Sequence, residues 1–284
     1  LVVEPLVRSA NGRRVGLKDF DPCTILLNND LSAGIPDILQ NIHEQSLLPP
    51  LHAGWALRRK SNHLKALDEV AKKFGKLIDI DPWLVNPLHS TCAEVDLREN
   101  VGTEALADDV SALFSKIKKK YKEYGMKERK PFVILKPDAG TYGMGIMTIK
   151  DASEVRDLTP AQRARMSVVK DGVAVTDLII QEGVPTFESI DDAVAEPVVY
   201  MIDRYVVGGF YRVHAERGID QNLNAPGSQF VPLAFAQQHA MPDPKAKPGT
   251  AAPNRFYVYG VVARLGMLAA SLELERTDPN PEVY

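Results

Sequence analysis

Cysteine is nearly absent from this 284-residue sequence: Cys23 and Cys92 are the only two, and neither sits in a Cys-x-x-Cys or Cys/His cluster. A disulfide framework or a zinc site has almost no material, and a reducing, cytoplasmic setting fits. Excess charge of one sign is missing too, with 37 acidic against 34 basic side chains. Nucleic-acid binding needs a concentrated surplus of Lys and Arg, so no nucleic-acid partner is expected. Long apolar runs are scarce. The longest, residues 261–272, is broken by Arg264 and falls short of the roughly 20 residues that cross a bilayer, so no membrane partner is expected. The chain opens on Leu1 with neither Met nor a signal-like segment, which suggests a fragment or a processed start.

What is present is ordinary globular material, 45% hydrophobic and 25% charged, enough for one large domain or two moderate ones. Residues 23–28 read as a strand, followed by helical spacing from Pro36. Leu64, Leu67, Val70, Ala71 and Phe74 predict a helix, with Ser61 as N-cap and Gly75 just past its end. Residues 76–81 read as a strand stopped by Pro82. Residues 109–122 read as an amphipathic helix whose lysine-rich end is a solvated terminus favoured by the macrodipole. Strands are expected over 131–136, 146–150 and 176–182, the first two as a hairpin. A charged helix-like stretch covers 151–169, and an alternating strand over 197–207 is extended by 210–214 beyond Gly208-Gly209. A Pro/Lys/Ala/Gly loop over 242–253 and a long apolar helix over 255–276 close the chain. The order favours an α+β or α/β architecture.

The most informative segment is Lys136-Pro137-Asp138-Ala139-Gly140-Thr141-Tyr142-Gly143-Met144-Gly145. Glycines let backbone N–H groups approach phosphate oxygens, and a lysine ending the preceding strand supplies a cation for the same anion. A plain hairpin turn is the competing reading. A P-loop would need Gly-Lys-Ser/Thr, and a dinucleotide fingerprint would open a helix, whereas this loop joins two strands. The arrangement resembles the phosphate-covering hairpin of the ATP-grasp superfamily, whose next strand contacts adenine. On that resemblance Gln181, Glu182 and the backbone of Val184 would meet the adenine edge and Glu188 the ribose. A capped strand end is the alternative for Glu182. Arg212 resembles the arginine that stabilises phosphoryl transfer, with a surface ion pair as its alternative. Asn222 and Asn224 would offer oxygens to Mg²⁺, or serve as turn residues.

Arg58, Arg59, Lys60 and Lys65 gather at a loop-to-helix junction, a place that attracts carboxylates and phosphates or simply exposes a basic turn. Lys65 matches a nucleotide-binding lysine of eukaryotic glutathione synthetases. Taken in order, these segments resemble the proteobacterial ATP-grasp glutamate–cysteine ligase family over nearly the whole chain. The resemblance implies an ATP-grasp fold of mixed sheets with a glycine-rich phosphate-covering hairpin. Its expected parts are an α/β substrate-side and central domain over 1–130, lacking an upstream part, a lid subdomain over 131–184 and a C-terminal core over 185–284. It implies an ADP-forming ligase that joins the glutamate side-chain carboxylate to the amine of cysteine through an acyl phosphate, with ATP and Mg²⁺ and with self-association left open. Lys136 and Arg212 would be catalytic. Lys65, Lys136, Gly140, Thr141, Tyr142, Gly143, Gly145, Gln181, Glu182, Val184 and Glu188 would bind ATP, while Arg58, Lys60 and Asn222 would bind substrate. A metal-binding acid is expected upstream; Glu273 and Glu275 read instead as solvated helix-end acids. The histidines and Cys92 read as structural. A glutathione-synthetase-like or other carboxylate–amine ligase and a noncatalytic nucleotide-binding module stay open as alternatives.

Overall fold

The computed structural model describes residues 3–140, 145–167, 175–232 and 255–279. Two minimal sheets come first. β1 (Val7–Arg8) pairs antiparallel with β2 (Val15–Gly16), and β3 (Thr24–Leu26) pairs parallel with β4 (Ser46–Leu48). The helical spacing after Pro36 yields only a 3₁₀ turn, Asp37–Leu39.

Helix α1 (Lys60–Ile78) buries the apolar stripe that predicted it, through Leu64, Val70 and Ala71. Its ends differ from expectation. Arg59 occupies the N-cap position, and Ser61 lies inside the first turn. The expected strand at 76–81 does not form. Lys76 to Ile78 complete the helix, Asp79 ends it in the left-handed region at φ 56°, and the Ile80 N–H returns to the Gly75 carbonyl at 2.9 Å. A Cβ on Gly75 would stand 2.6 Å from the Ile80 oxygen, so this glycine sits within the helix because the chain folds back across it.

β5 (His89–Cys92), which was not anticipated, precedes α2 (Thr103–Glu123). Then come β6 (Val133–Pro137), β7 (Met147–Ile149), α3 (Ser153–Arg156), α4 (Pro160–Met166) and β8 (Leu178–Glu182). The four strands form one antiparallel sheet in the order β5-β8-β6-β7. Leu106, Leu113 and Ile117 of α2 share a core with Leu135, Ile149 and Ile180 of this sheet. The single helix expected over 151–169 is broken because Thr159 and Gln162 form a capping box with Pro160 at the next position, starting a new helix there.

β9 (Glu188–Ile190), β10 (Ala193–Ile202), β11 (Tyr205–His214) and β12 (Gln229–Pro232) make a second, meandering antiparallel sheet. The alternating run at 197–207 is not one strand; Asp203, at φ 51°, turns β10 into β11. The segment at 242–253 lies outside the described residues. Helix α5 (Arg255–Thr277) packs along α1, where Ala66 and Val70 meet Leu265 and Ala269. Its stretch from Tyr257 to Thr277 is, by length and composition alone, apolar enough to cross a membrane, with a mean hydropathy of 1.3. That is longer than the run expected from sequence; here it lies against α1 and β10. The two larger sheets meet where Thr148 and Lys150 reach Asp220, the lysine at 2.5 Å, and where the Thr186 N–H donates to the Ile219 carbonyl. The fold is a mixed α+β arrangement of several small sheets.

Candidate active site

Lys136 is the last residue but one of β6, and the register places it diagonally from Gln181 on β8, so the two side chains share a face. Lys136 Nζ donates to Gln181 Oε1 at 2.5 Å. Burial holds this ammonium's pKa below the usual lysine value, against the opposing charge of Asp138. Beyond Lys136 the chain passes Gly140, at φ 83°, and returns at Gly145, at φ 68°. A Cβ on Gly145 would come within 2.9 Å of the Pro137 ring, so both conformation and close approach require glycine there. Thr141, Tyr142 and Gly143 lie outside the described residues.

The basic junction separates into distinct tasks. Lys60 Nζ donates to the carbonyls of Pro137, Asp138, Ala139 and Gly140 at 2.7–3.3 Å. Asp138, 8% exposed, accepts from the Ser61 N–H and hydroxyl, each at 2.7 Å. A carboxylate distant in sequence thus satisfies the first turn of α1. Arg58 donates from Nε and Nη2 to the two oxygens of Glu273, both at 2.7 Å, and His63 Nδ1 is 3.1 Å from Oε2. Glu273 is therefore not the solvated acid expected; it is 1% exposed, while Glu275 is exposed. Burial pulls its carboxyl upward, but the hydrogen bonds from His63 and Arg58, with the arginine's charge, prevail and hold it at about 2. Lys65 stands exposed on α1.

Glu182 is buried, and its Oε2 accepts from Trp83 Nε1 at 2.8 Å and the Leu88 N–H at 3.0 Å. Val184, two residues on, is 67% exposed. The Glu188 carboxylate accepts from the Tyr259 hydroxyl of α5. Arg212 on β11 faces its direct strand partner Glu196 at 2.6 Å, while its Nε is buried without a hydrogen-bond partner.

A cleft of about 360 Å³ opens between the return of the glycine segment and the 222–226 loop. Gly145, Arg165, Arg217, Asn222 and Asn224 line it. Arg165 Nη2 donates to the Ile146 carbonyl at 2.7 Å, whereas Arg217 has no hydrogen bond or ion pair among the described residues. Asn222 Oδ1 accepts from the Asn224 N–H at 2.9 Å, a turn anchored by the fully buried Leu223. The metal donor set does not fit Mg²⁺ on its own: one of the two amide oxygens is engaged in that turn, and no group of three or more His, Cys, Asp or Glu suited to a metal occurs among the described residues. The geometry thus brings Gly145 and both asparagines together and keeps Arg58 and Glu182 in internal contacts. Sequence reasoning missed Asp138, Arg165 and Arg217. Only the position of Arg217, five residues before Asn222, hinted at its place.

A cleft lined by two arginines and Gly145 suits an anionic ligand. No curated protein matches the chain. A crystal structure from Methylobacillus flagellatus KT, assigned provisionally as a gamma-glutamylcysteine synthetase, is 61% identical with a TM-score of 0.83. The match covers 97% of this chain and 64% of that one. D-cycloserine synthetase DcsG is a remote likeness at 16% identity and a TM-score of 0.34, covering 83% of this chain and 57% of the other. The family model described as GshA, glutamate-cysteine ligase, matches residues 1–274. The chain belongs to the glutamate–cysteine ligase family.

Proposed function

We propose that this chain carries the nucleotide-binding machinery of an ADP-forming ligase of ATP-grasp type, which joins the side-chain carboxylate of glutamate to the amine of cysteine in the first step of glutathione synthesis. The observation that carries the reading is the family match along residues 1–274, to which the cleft adds its cationic lining. ATP supplies the phosphoryl group that turns an unreactive carboxylate into an acyl phosphate. Lys136, at the end of β6, and the Gly140–Gly145 turn would bind the polyphosphate, with Thr141, Tyr142 and Gly143 completing that turn. Gln181, the Val184 backbone and Glu188 would line the base and ribose, with Glu182 holding the strand end in place through Trp83 and Leu88. Lys65 would add charge from α1.

The buried, unpartnered Nε of Arg212 offers a donor for charge that develops on the transferred group. Arg217 and Asn222 would orient the amino-acid carboxylates, since a cation without a partner in a cleft is satisfied only by a ligand or by water. Mg²⁺ accompanies the nucleotide, with its carboxylate ligands supplied from elsewhere in the protein. A cytoplasmic enzyme, self-associating or not, agrees with this reading.

The test is release of ADP by the full-length protein, dependent on both glutamate and cysteine, with ¹⁸O passing from the glutamate carboxylate into phosphate. Release of AMP and pyrophosphate would reject the reading. Lys136→Ala is expected to weaken ATP binding, and Arg212→Ala to lower turnover at little change in KM.

A further inference from the structure

We infer that Lys60 is a positioning residue that pins the stem of the glycine turn. Its ammonium fixes the direction in which the backbone leaves β6, and does not bind substrate itself. The inference rests on the proposed nucleotide site for its consequence, but on geometry alone for its substance. Four consecutive carbonyls, Pro137 through Gly140, converge on one Nζ at 2.7–3.3 Å. An ammonium has three donors, so all are engaged and none remains for a ligand. Four successive carbonyl oxygens each need a hydrogen-bond partner, and here one ammonium serves all four.

The same stretch is gripped from its other side. Asp138 takes the Ser61 N–H and hydroxyl, and the Lys60 N–H donates to the Asp138 carbonyl at 3.1 Å. The first turn of α1 and the end of β6 therefore hold each other through Lys60, Ser61 and Asp138, contacts that span about 77 positions of sequence.

The surroundings of the amine act on it in opposite senses. The Trp55 ring lies 5.7 Å from Nζ. Burial, and then the charge of Lys136, lower the Lys60 pKa to about 8; Asp138 opposes them, while Arg59 and Arg58 add to the lowering. The sign separates holding from folding. Because folding depresses this pKa, global stability gains as pH rises from about 8 towards the unfolded lysine value. A neutral amine nonetheless has only two donors for four carbonyls, so the stem loosens as pH rises through about 8.

The test uses the full-length protein as wild type, Lys60→Met and Lys60→Arg. Without nucleotide, amide hydrogen exchange across residues 138–147 is expected to quicken at least tenfold in Lys60→Met, with β8 and the distal half of α1 unchanged. Lys60→Arg should restore most of the protection. Equal exchange in all three proteins would overturn the pin. ATP affinity should fall about tenfold in Lys60→Met and, in wild type, decline between pH 7 and 9. Lys60→Arg, which does not titrate there, should show a smaller decline, that of the buried Lys136 ammonium alone. An identical pH profile in wild type and Lys60→Arg overturns the pin's titration. Exchange that quickens while ATP affinity is unchanged overturns instead the reading of the glycine turn as a nucleotide site. Should Lys60→Met fail to fold, the comparison of wild type with Lys60→Arg across pH decides alone.

Discussion

Arg58 and Arg212 each face one carboxylate, yet they differ in what they leave free. Arg58 spends Nε and one terminal nitrogen on Glu273, a bidentate pair that fixes the guanidinium plane. Arg212 meets Glu196 through a terminal nitrogen and keeps a buried Nε without a partner, so one of its donors is left over where Arg58 has spent its Nε. Arg217 has no partner among the described residues. Arg217→Ala is therefore expected to leave the melting temperature within a degree or two while raising the KM for the amino-acid substrate about tenfold or more, the worth of a charge-assisted hydrogen bond. An unchanged KM would remove Arg217 from the site. The two cysteines also separate at this scale. Cys23 is exposed and Cys92 buried, and burial, with Asp109 beside it, pushes the Cys92 thiol up to about 11. A thiol reagent at neutral pH should label Cys23 in the native protein and Cys92 only after denaturation, read by peptide mapping.

Among the elements, β8, which carries Gln181 and Glu182 of the proposed nucleotide site, shows how a central strand is anchored. Both its faces are buried, Leu178 and Ile180 on one and Ile179 on the other, and the residue just past its end, Gly183, lies so close to Phe132 that a Cβ would stand 2.0 Å from the ring. Gly183→Ala should destabilise the protein by about 1–3 kcal/mol, the usual cost of overpacking, read as a lower urea midpoint; a smaller residue at Phe132 should recover part of the loss. The strands β6, β7 and β8 and helices α1 and α5 were legible because each carries a long or strongly apolar pattern. The segment at 76–81 was not. Its three-residue alternation fits a strand and a last helical turn equally, and what decides between them is the left-handed Asp79 and the return of Ile80 to Gly75. The hairpin at Asp203 escaped notice for a similar reason, since alternation continues across a tight turn without a break in hydropathy.

At the level of the whole molecule, Glu273 joins α5 to the junction ahead of α1, residues separated by more than 200 positions. Removing one partner of a buried ion pair costs about 3–5 kcal/mol. With Arg58 one-quarter exposed, Glu273→Gln should fall at about 3 kcal/mol, measured by thermal or urea unfolding. The pH dependence has a definite sign. The folded carboxyl titrates at about 2, below its ordinary 4.5, so its contribution is complete above pH 4.5 and is lost as pH falls towards 2. The glutamine variant should show a flatter stability profile across that window; an unchanged acid limb would mean the pair does not hold the helices together. Sequence by itself determined which segments are apolar enough to form the sheet and its helices, where the glycine-rich segment follows Lys136, and the family resemblance, because these depend on local pattern and residue order. Only the tertiary structure decided which charges are consumed and which are left. Arg58, Lys60 and Glu273 look alike in sequence to exposed residues, and their roles are set by partners that burial and folding bring from distant parts of the chain.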